Sequence, residues 1–151
     1  MSMPLLVDTN ILIDYLRKKP EAISFLEGLK EPALISAMTV AEVYGGVREG
    51  EERRRTEIFL GTFEVVPVTQ ELAQQGGLFR REYAPTHGTG MADGIIAATA
   101  KEKKARLVTL NDRHFPMLSK VLVPYEQKRG GVSPSLDPDV MNYLDFCGCC
   151  C

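Results

Sequence analysis

The sequence predicts an α/β fold in which a parallel sheet is covered by helices on both faces. Short apolar runs of strand length alternate with longer segments whose apolar residues recur at helical spacing. The apolar runs are continuous, which is typical of parallel strands that are buried on both faces. The chain has 151 residues, of which 44% are apolar and 25% charged, and these values fit one globular domain.

Five apolar runs are predicted to be strands. They cover residues 4–7, 33–36, 65–68, 106–109 and 121–123. The third run contains Pro67, which has no N–H to donate to a ladder, so this strand is expected at an edge of the sheet. Ligands of open parallel sheets bind beyond the carboxyl ends of the strands. Asp8, directly after the first strand, therefore stands in the expected functional position.

Helices are predicted in the segments between these strands. They start after Asp8, at Pro20, at Ser36 or Thr39, at Gly50, before Leu72 and at Met91. The fifth helix is expected to end near Tyr83, because residues 84–90 contain a proline and two glycines and are typical of a loop. Asp14 follows Asp8 by six residues, which predicts a surface position on the other side of the first helix.

Charge and hydropathy exclude several classes of protein. The chain has 20 acidic and 18 basic residues, so it lacks the uniformly basic coat of a histone, although a local basic patch can still bind nucleic acid. No apolar run approaches the roughly 20 residues that span a bilayer. The first residues lack the features of a signal peptide. A cytoplasmic protein without a membrane partner is expected.

Three acidic residues have apolar or small neighbours, where a solvated charge is not expected: Asp8, Glu42 and Asp93. A buried carboxylate is costly unless it is paired or binds a metal, and no Arg or Lys lies in these segments. The two histidines are distant in sequence, and no cysteine occurs before residue 147. Oxygen ligands favour Mg²⁺ or Mn²⁺. The implied chemistry is metal-assisted hydrolysis of a phosphodiester.

Each acid taken alone has a simpler interpretation. Asp8 could cap a helix, and Asp93 could be a first-turn acid that the helix dipole favours. Glu42 could pair with a distant cation. Three such residues in one small domain are more simply explained by one bound cation.

The loop after the fourth strand supplies further candidates at the same end of the sheet: Thr109, Asn111 and Asp112. Asp112 could also be a solvated turn acid, and Asn111 could belong to an Asx turn. His114 resembles a general base, but a loop histidine before Phe-Pro is interpreted here as structural.

Four segments resemble the motifs of a known family. Residues 6–16, with the sequence LVDTNILIDYL, are similar to the opening motif of the PIN domain, most closely that of VapC-type toxins of type II toxin–antitoxin systems. The family's second, third and last motifs resemble residues 36–46, 92–100 and 107–116. The resemblance extends in order from residue 4 to about residue 125.

The resemblance implies a three-layer α/β/α fold with a five-stranded parallel sheet. It also implies an endoribonuclease that depends on Mg²⁺ or Mn²⁺, forms a homodimer and is inhibited by a cognate antitoxin. By position, Asp8, Glu42 and Asp93 are the acidic metal-site residues. Many members have a fourth acid where this chain has Asn111. Whether Asn111 or the adjacent Asp112 fills that position stays open, as does a second metal.

An RNA substrate requires basic residues near the acidic site. Arg48 and the arginines at 53–55 follow the predicted Glu42 helix and are the preferred candidates, with Tyr44 available either to stack on a base or to join the core. Most basic residues could instead lie on solvated helix faces. An antitoxin is expected to place a helix in an apolar groove and a basic side chain near the carboxylates.

Two other functions are compatible with the sequence. One is a housekeeping PIN nuclease that processes RNA, and the other is a non-catalytic PIN-fold binding module with a site weakened by Asn111. Residues 1–127 are predicted to form the nuclease domain. Residues 128–151, with all four cysteines in the last five positions, are interpreted as a tail of uncertain role or a non-native extension.

Overall fold

The computed structural model describes residues 3–127, which form one sheet of five parallel strands in the order β3-β2-β1-β4-β5. Every pair of neighbouring strands is parallel, as the continuous apolar runs predict. The strands are β1 (Leu5–Val7), β2 (Leu34–Ser36), β3 (Glu64–Val66), β4 (Arg106–Val108) and β5 (Val121–Leu122).

Six α-helices and a single 3₁₀ turn connect the strands within residues 3–127. They are α1 (Thr9–Leu16), α2 (Pro20–Glu27), α3 (Ala37–Gly45), α4 (Glu51–Leu60), α5 (Gln70–His87), α6 (Met91–Lys103) and the 3₁₀ turn Asp112–His114. Helices α1 to α4 pack on one face of the sheet, and α5 and α6 pack on the other. The predicted three-layer α/β/α architecture is confirmed.

Alternate residues of each strand supply the two halves of the core. Leu6 and Leu107 point toward α5 and α6, whereas Val7 and Val108 point toward the helices of the other face, and all four are fully buried. This alternation follows from the two-residue period of a strand. Both faces of β1 and β4 are therefore covered, and their carboxyl ends are held in fixed positions.

The edge position of β3 is confirmed, although the strand ends earlier than predicted. It stops at Val66, whereas the prediction carried it through Pro67 to residue 68. Because Pro67 lacks the N–H that a further ladder bond needs, pairing with β2 ends before it.

The end of α5 differs from the prediction. The helix continues through Pro85 to His87 and ends at Gly88, which adopts the left-handed conformation with φ of 68°. Pro85 lies in the last turn, where a proline removes one helical hydrogen bond but does not stop the chain from completing that turn. The loop that precedes α6 is consequently short.

Asp14 is buried, so its predicted surface position is wrong. The Tyr125 hydroxyl donates a 2.9 Å hydrogen bond to its Oδ2, and Lys19 Nζ lies 3.5 Å from the same oxygen. The segment after β5 brings Tyr125 against α1, across 111 residues of sequence, and covers this carboxylate.

Two predictions concern the ends of the domain. The tail at residues 128–151, with its cysteines, lies outside the residues that the structure describes, and the boundary at 127 stays a prediction. Within residues 3–127, no helix is both long and apolar enough to cross a membrane.

Candidate active site

Asp8 lies at the carboxyl end of β1 and is buried, with 6% of its surface exposed. Its carboxylate accepts a 2.8 Å hydrogen bond from the backbone N–H of Thr9 at Oδ1. At Oδ2 it accepts a 2.7 Å bond from the Thr109 hydroxyl. Asp8 is also the N-cap of α1, as its simpler interpretation proposed. Capping therefore accounts for one of its oxygens, and the other faces the loop after β4.

Thr109 is the centre of a small network between α1 and the loop after β4. Its Oγ1 accepts hydrogen bonds from Asn10 Nδ2 at 3.2 Å and from the Asn111 N–H at 3.1 Å. Because these two donors occupy the acceptor sites of the oxygen, the Thr109 proton is directed to Asp8. Asn10 is not among the site residues that the sequence predicts, and the sequence gives no signal of this contact between α1 and the loop after β4.

Glu42 lies on the second turn of α3, half-buried and facing the start of α1. The Thr9 hydroxyl donates a 2.8 Å hydrogen bond to Glu42 Oε1 and lies 3.1 Å from Thr39 Oγ1. Helix α3 starts at the end of β2, where the Ser36 hydroxyl caps it by accepting from the Met38 N–H at 3.0 Å. Thr9, like Asn10, is a residue of the site that sequence reasoning missed.

Asp93 lies on the first turn of α6, and its side chain is 17% exposed. Its Oδ2 accepts a 2.8 Å hydrogen bond from the Gly90 N–H, so the predicted first-turn role is also present. His114 Nδ1 lies 3.3 Å from the same oxygen. The two histidines are distant from the acids in sequence, but the fold brings one of them into contact with Asp93.

The negative charges of two of the predicted acids act on the third. The pKa of Asp8 is raised to about 7, mainly by burial and also by the negative charges of Asp93 and Glu42, while the bonds from Thr109 and Thr9 oppose the increase. Burial also raises the pKa of Asp93, against the Gly90 N–H and His114. The charges of both other predicted acids thus raise the pKa of Asp8, and we treat these three carboxylates as the centre of the site.

The remaining predicted residues surround this centre less closely. Asn111 and Asp112 have exposed side chains, and Asn111 reaches the network through its backbone N–H. Tyr44 is also exposed, at 36%, which excludes the core position considered for it. Arg48 is half-buried beyond the end of α3.

Arg53 fits the alternative in which basic residues lie on a solvated helix face. Its guanidinium lies 2.8 Å from Glu49 Oε1 and 3.2 Å from Glu57 Oε1, and all three side chains are at least half exposed. These pairs at a spacing of four residues are typical of a surface helix. The side chain that opens the predicted arginine run is therefore already engaged with acids of its own segment.

The donor types fit a hard divalent cation. Carboxylates and hydroxyls meet at the edge of the sheet, and the buried Asp8 carries a destabilised negative charge that a cation would compensate. In the part of the chain that the structure describes, no three His, Cys, Asp or Glu side chains form a group that could hold a metal ion. Glu42 and Asp93 instead accept hydrogen bonds from Thr9 and Gly90.

An all-parallel α/β/α sandwich with interacting carboxylates at the carboxyl edge of its sheet is the class of protein that this fold and site define. The PIN domain family profile matches residues 5–121, and the chain belongs to the PIN domain family. The resemblance stated from the four sequence motifs is therefore confirmed.

Similar proteins cover most of the chain. Ribonuclease VapC10 of Mycobacterium tuberculosis is 37% identical over 124 residues, which make up 80% of this chain and 92% of that protein. Ribonuclease VapC19 of the same organism is 38% identical over 124 residues, or 80% and 98%. A solved toxin–antitoxin complex from Klebsiella pneumoniae contains a chain with 33% identity and a TM-score of 0.71, covering 82% of this chain and 99% of that one.

Proposed function

We propose that this protein is a divalent-metal-dependent endoribonuclease and the toxin of a toxin–antitoxin pair. The observation that carries the proposal is the buried Asp8, whose pKa is raised to about 7 and responds to both Glu42 and Asp93. The relatives named ribonuclease and the similar chain from a toxin–antitoxin complex support RNA as the substrate and an antitoxin as the partner.

Asp8, Glu42 and Asp93 would hold Mg²⁺ or Mn²⁺ in this proposal. The ion supplies an activated water and stabilises the negative charge that develops on the phosphate during hydrolysis. The proposal is supported by the donor chemistry, since hard cations prefer oxygen ligands and carboxylates tolerate burial when a cation is near. Asn111 or Asp112 completes the site as a neutral or charged oxygen donor beside Thr109.

The residues around the carboxylates have orienting roles. Thr109 and the Thr9 N–H fix the two oxygens of Asp8, and the Thr9 hydroxyl fixes Glu42. Side chains that are already oriented lose less conformational freedom when they bind the cation. Because Thr9, the first residue of α1, bonds both Asp8 and Glu42, it links the position of α3 to that of α1.

An acidic edge repels RNA unless cations are nearby, because phosphate contacts dominate RNA affinity. Arg48, which follows the helix of Glu42, is the proposed phosphate contact. Tyr44 is the proposed stacking residue, supported by its exposure two residues after Glu42. These two residues, together with Thr109, define the substrate side of the proposed site.

The antitoxin is proposed to bind apolar surface on the α1, α2 and α4 side. A pocket there has apolar and aromatic walls, which include Tyr15, Phe59 and Phe63, and charged residues also line it: Glu27, Lys30 and Glu31. The rings of Tyr15 and Phe59 stack with centroids 4.2 Å apart. An amphipathic helix fits an apolar groove of this kind.

The free toxin is proposed to be a homodimer in the cytoplasm. Light scattering of the purified protein measures its molar mass and so tests the dimer.

The test is cleavage of structured RNA with Mn²⁺ by the parent and by Asp8→Asn and Asp93→Asn. Both substitutions should reduce the rate at least 100-fold, because each removes a charge that the cation needs. Glu102→Gln is the matched control, since Glu102 is an exposed acid on the same helix as Asp93, and it should cleave normally. Normal cleavage by both Asn variants would refute the metal site.

Two further measurements separate the alternatives. Growth arrest on expression, relieved by an antitoxin, supports a toxin, whereas unrestrained growth with active nuclease favours a housekeeping RNA-processing enzyme. Titration calorimetry that detects no Mn²⁺ binding, together with no cleavage, favours a non-catalytic PIN-fold binding module. Asn111 in place of a fourth acid is the sequence feature that makes this last outcome worth testing.

A further inference from the structure

His114 is the side chain at the edge of the site that the proposed chemistry leaves without a role. Its Nδ1 lies 3.3 Å from Asp93 Oδ2, and both side chains are largely shielded, at 25% and 17% exposure. The Gly90 N–H donates to the same oxygen at 2.8 Å. A backbone N–H and an imidazole nitrogen thus converge on Oδ2 of Asp93 from two different segments, the loop before α6 and the 3₁₀ turn after β4.

The backbone of His114 is held independently of Asp93. Its N–H donates to the Asn111 carbonyl at 3.0 Å, and its own carbonyl accepts a 2.8 Å bond from the Thr89 hydroxyl. Thr89 and Phe115, the residue that follows His114, are each 1% exposed. The imidazole is therefore presented to Asp93 by a fixed frame, unlike the ends of a flexible surface ion pair.

The ring of His114 also lies beside the left-handed Gly88, where a Cβ would stand 3.7 Å from Nε2. The turn that ends α5, the start of α6 and the loop after β4 therefore meet around one histidine. This junction accounts for the position of the ring and leaves Nδ1 toward the carboxylate.

We propose that His114 is a positioning residue, which donates from Nδ1 to Asp93 Oδ2 and so reserves Oδ1 of Asp93 for the divalent cation. The inference rests on the proposed metal-dependent function and deepens it. A carboxylate whose one oxygen is fixed by two donors has a defined orientation, and such outer partners commonly set metal affinity. A neutral imidazole protonated at Nδ1 can donate this bond, as an imidazolium can, so the role does not require a charge on His114.

His87, the other histidine of the chain, provides the matched control. Its Nδ1 lies 2.8 Å from the Thr86 hydroxyl, and its ring meets the ring of Tyr83 edge-on, with both partners on α5. It has the same chemistry as His114 without the contact to Asp93.

The test compares His114→Phe, His114→Asn and His87→Phe by titrating each full-length variant with Mn²⁺ and by measuring RNA cleavage at saturating Mn²⁺. Phenylalanine keeps the bulk of the ring and removes the donor. Asparagine places an N–H close to the position of Nδ1. His114→Phe should weaken Mn²⁺ binding by about tenfold or more, the effect typical of losing an outer partner of a ligand. His114→Asn should restore affinity to within about threefold of the parent, and His87→Phe should match the parent.

Several results would overturn the inference. Unchanged Mn²⁺ affinity of His114→Phe would show that Asp93 needs no such support. Equal weakening in His114→Phe and His114→Asn, with a matching loss of metal-free melting temperature, would show a packing role only. If His114→Phe does not fold, His114→Ala takes its place in the same comparison. A parent protein that neither binds Mn²⁺ nor cleaves RNA would instead refute the proposed function itself, and this inference with it.

Discussion

The Thr109 hydroxyl donates a 2.7 Å hydrogen bond to Oδ2 of Asp8, joining two buried residues that are 101 positions apart in the sequence. The oxygen of this hydroxyl accepts hydrogen bonds from Asn10 Nδ2 and the Asn111 N–H, so its own proton is directed to Asp8. The bond to Asp8 lowers the pKa of Asp8, against the effect of burial.

Replacing Thr109 with valine should be costly, although the two side chains have nearly the same shape. The substitution removes a donor to a carboxylate and leaves the Asn10 and Asn111 donors without their acceptor. At pH 8 the free energy of unfolding should fall by about 2–3 kcal/mol. RNA cleavage should fall by about tenfold or more, because Asp8 loses its orientation. Urea denaturation and a cleavage assay measure the two effects.

Thr99→Val is the control for this prediction. The Thr99 hydroxyl is equally buried and donates a 2.8 Å bond to the Ile95 carbonyl one helical turn earlier. That acceptor is uncharged and belongs to the same helix, so its loss should cost less than about 1 kcal/mol. Equal losses for the two variants would contradict the special role of the bond to Asp8.

The raised pKa of Asp8 predicts how the stability of the metal-free protein depends on pH. The unfolded chain loses the Asp8 proton near 3.8, whereas the folded protein keeps it until about pH 7. The folded state thus binds more protons in this window, and stability should fall as pH rises from about 4 to about 7. The decrease can reach about 1.4 kcal/mol per pH unit within that window.

Denaturation in the presence of a chelator, at several pH values from 4 to 8, measures this dependence. Asp8→Asn cannot titrate, so the difference between its profile and that of the parent isolates the contribution of Asp8. Saturating Mn²⁺ should flatten the parent's profile in the same way, because the cation stabilises the ionised carboxylate. Parallel profiles for the parent and Asp8→Asn would show that the pKa of Asp8 is not raised.

The features that the sequence predicts well are those determined by neighbouring residues. A continuous apolar run such as residues 5–7 identifies a buried parallel strand, and the acid that follows it must lie at the carboxyl edge of the sheet. The same local logic identifies Asp93 on the first turn of α6. Strand order follows only in part, through the proline that places β3 at an edge.

The features that the sequence does not predict depend on contacts between distant segments. Asp14 has the spacing of a surface residue and is buried because Tyr125 packs against it. Thr9 is an ordinary first-turn residue until α3 brings Glu42 to its hydroxyl. His114 has the sequence surroundings of a structural loop residue, and only the packing of α6 against the loop after β4 gives it a carboxylate partner.

Tyr125→Phe should destabilise the protein without reducing its nuclease activity. Burial, and then the charge of Asp14, raise the pKa of Tyr125, so its hydroxyl keeps the proton that it donates to Asp14. Removing that donor from a buried carboxylate should lower the free energy of unfolding by about 1–3 kcal/mol. Tyr15→Phe, which removes an exposed 3.4 Å contact to Glu27, should change it by less than about 0.5 kcal/mol. A Tyr125→Phe protein as stable as the parent would contradict the role assigned to this bond.

Helices α5 and α6 touch through their backbones at Gly76 and Gly94. A Cβ added at Gly94 would lie 2.2 Å from the Gly76 carbonyl oxygen, a separation that real structures do not tolerate. Gly94→Ala must therefore push the helices apart, and it should cost about 3 kcal/mol of unfolding free energy. The same displacement moves Asp93, the preceding residue, so RNA cleavage should fall as well.

Gly77→Ala is the matched comparison on the same helix pair. Nothing lies within 4 Å of a Cβ at Gly77, so alanine fits there without strain. Because alanine lowers the conformational entropy of the unfolded chain and favours the helix, this variant should gain about 0.5–1 kcal/mol. Thermal or urea denaturation should show that Gly94→Ala lowers the free energy of unfolding and that Gly77→Ala raises it. A Gly94→Ala protein that matches Gly77→Ala in stability and in cleavage rate would show that α5 and α6 do not need their close approach to hold Asp93 in place.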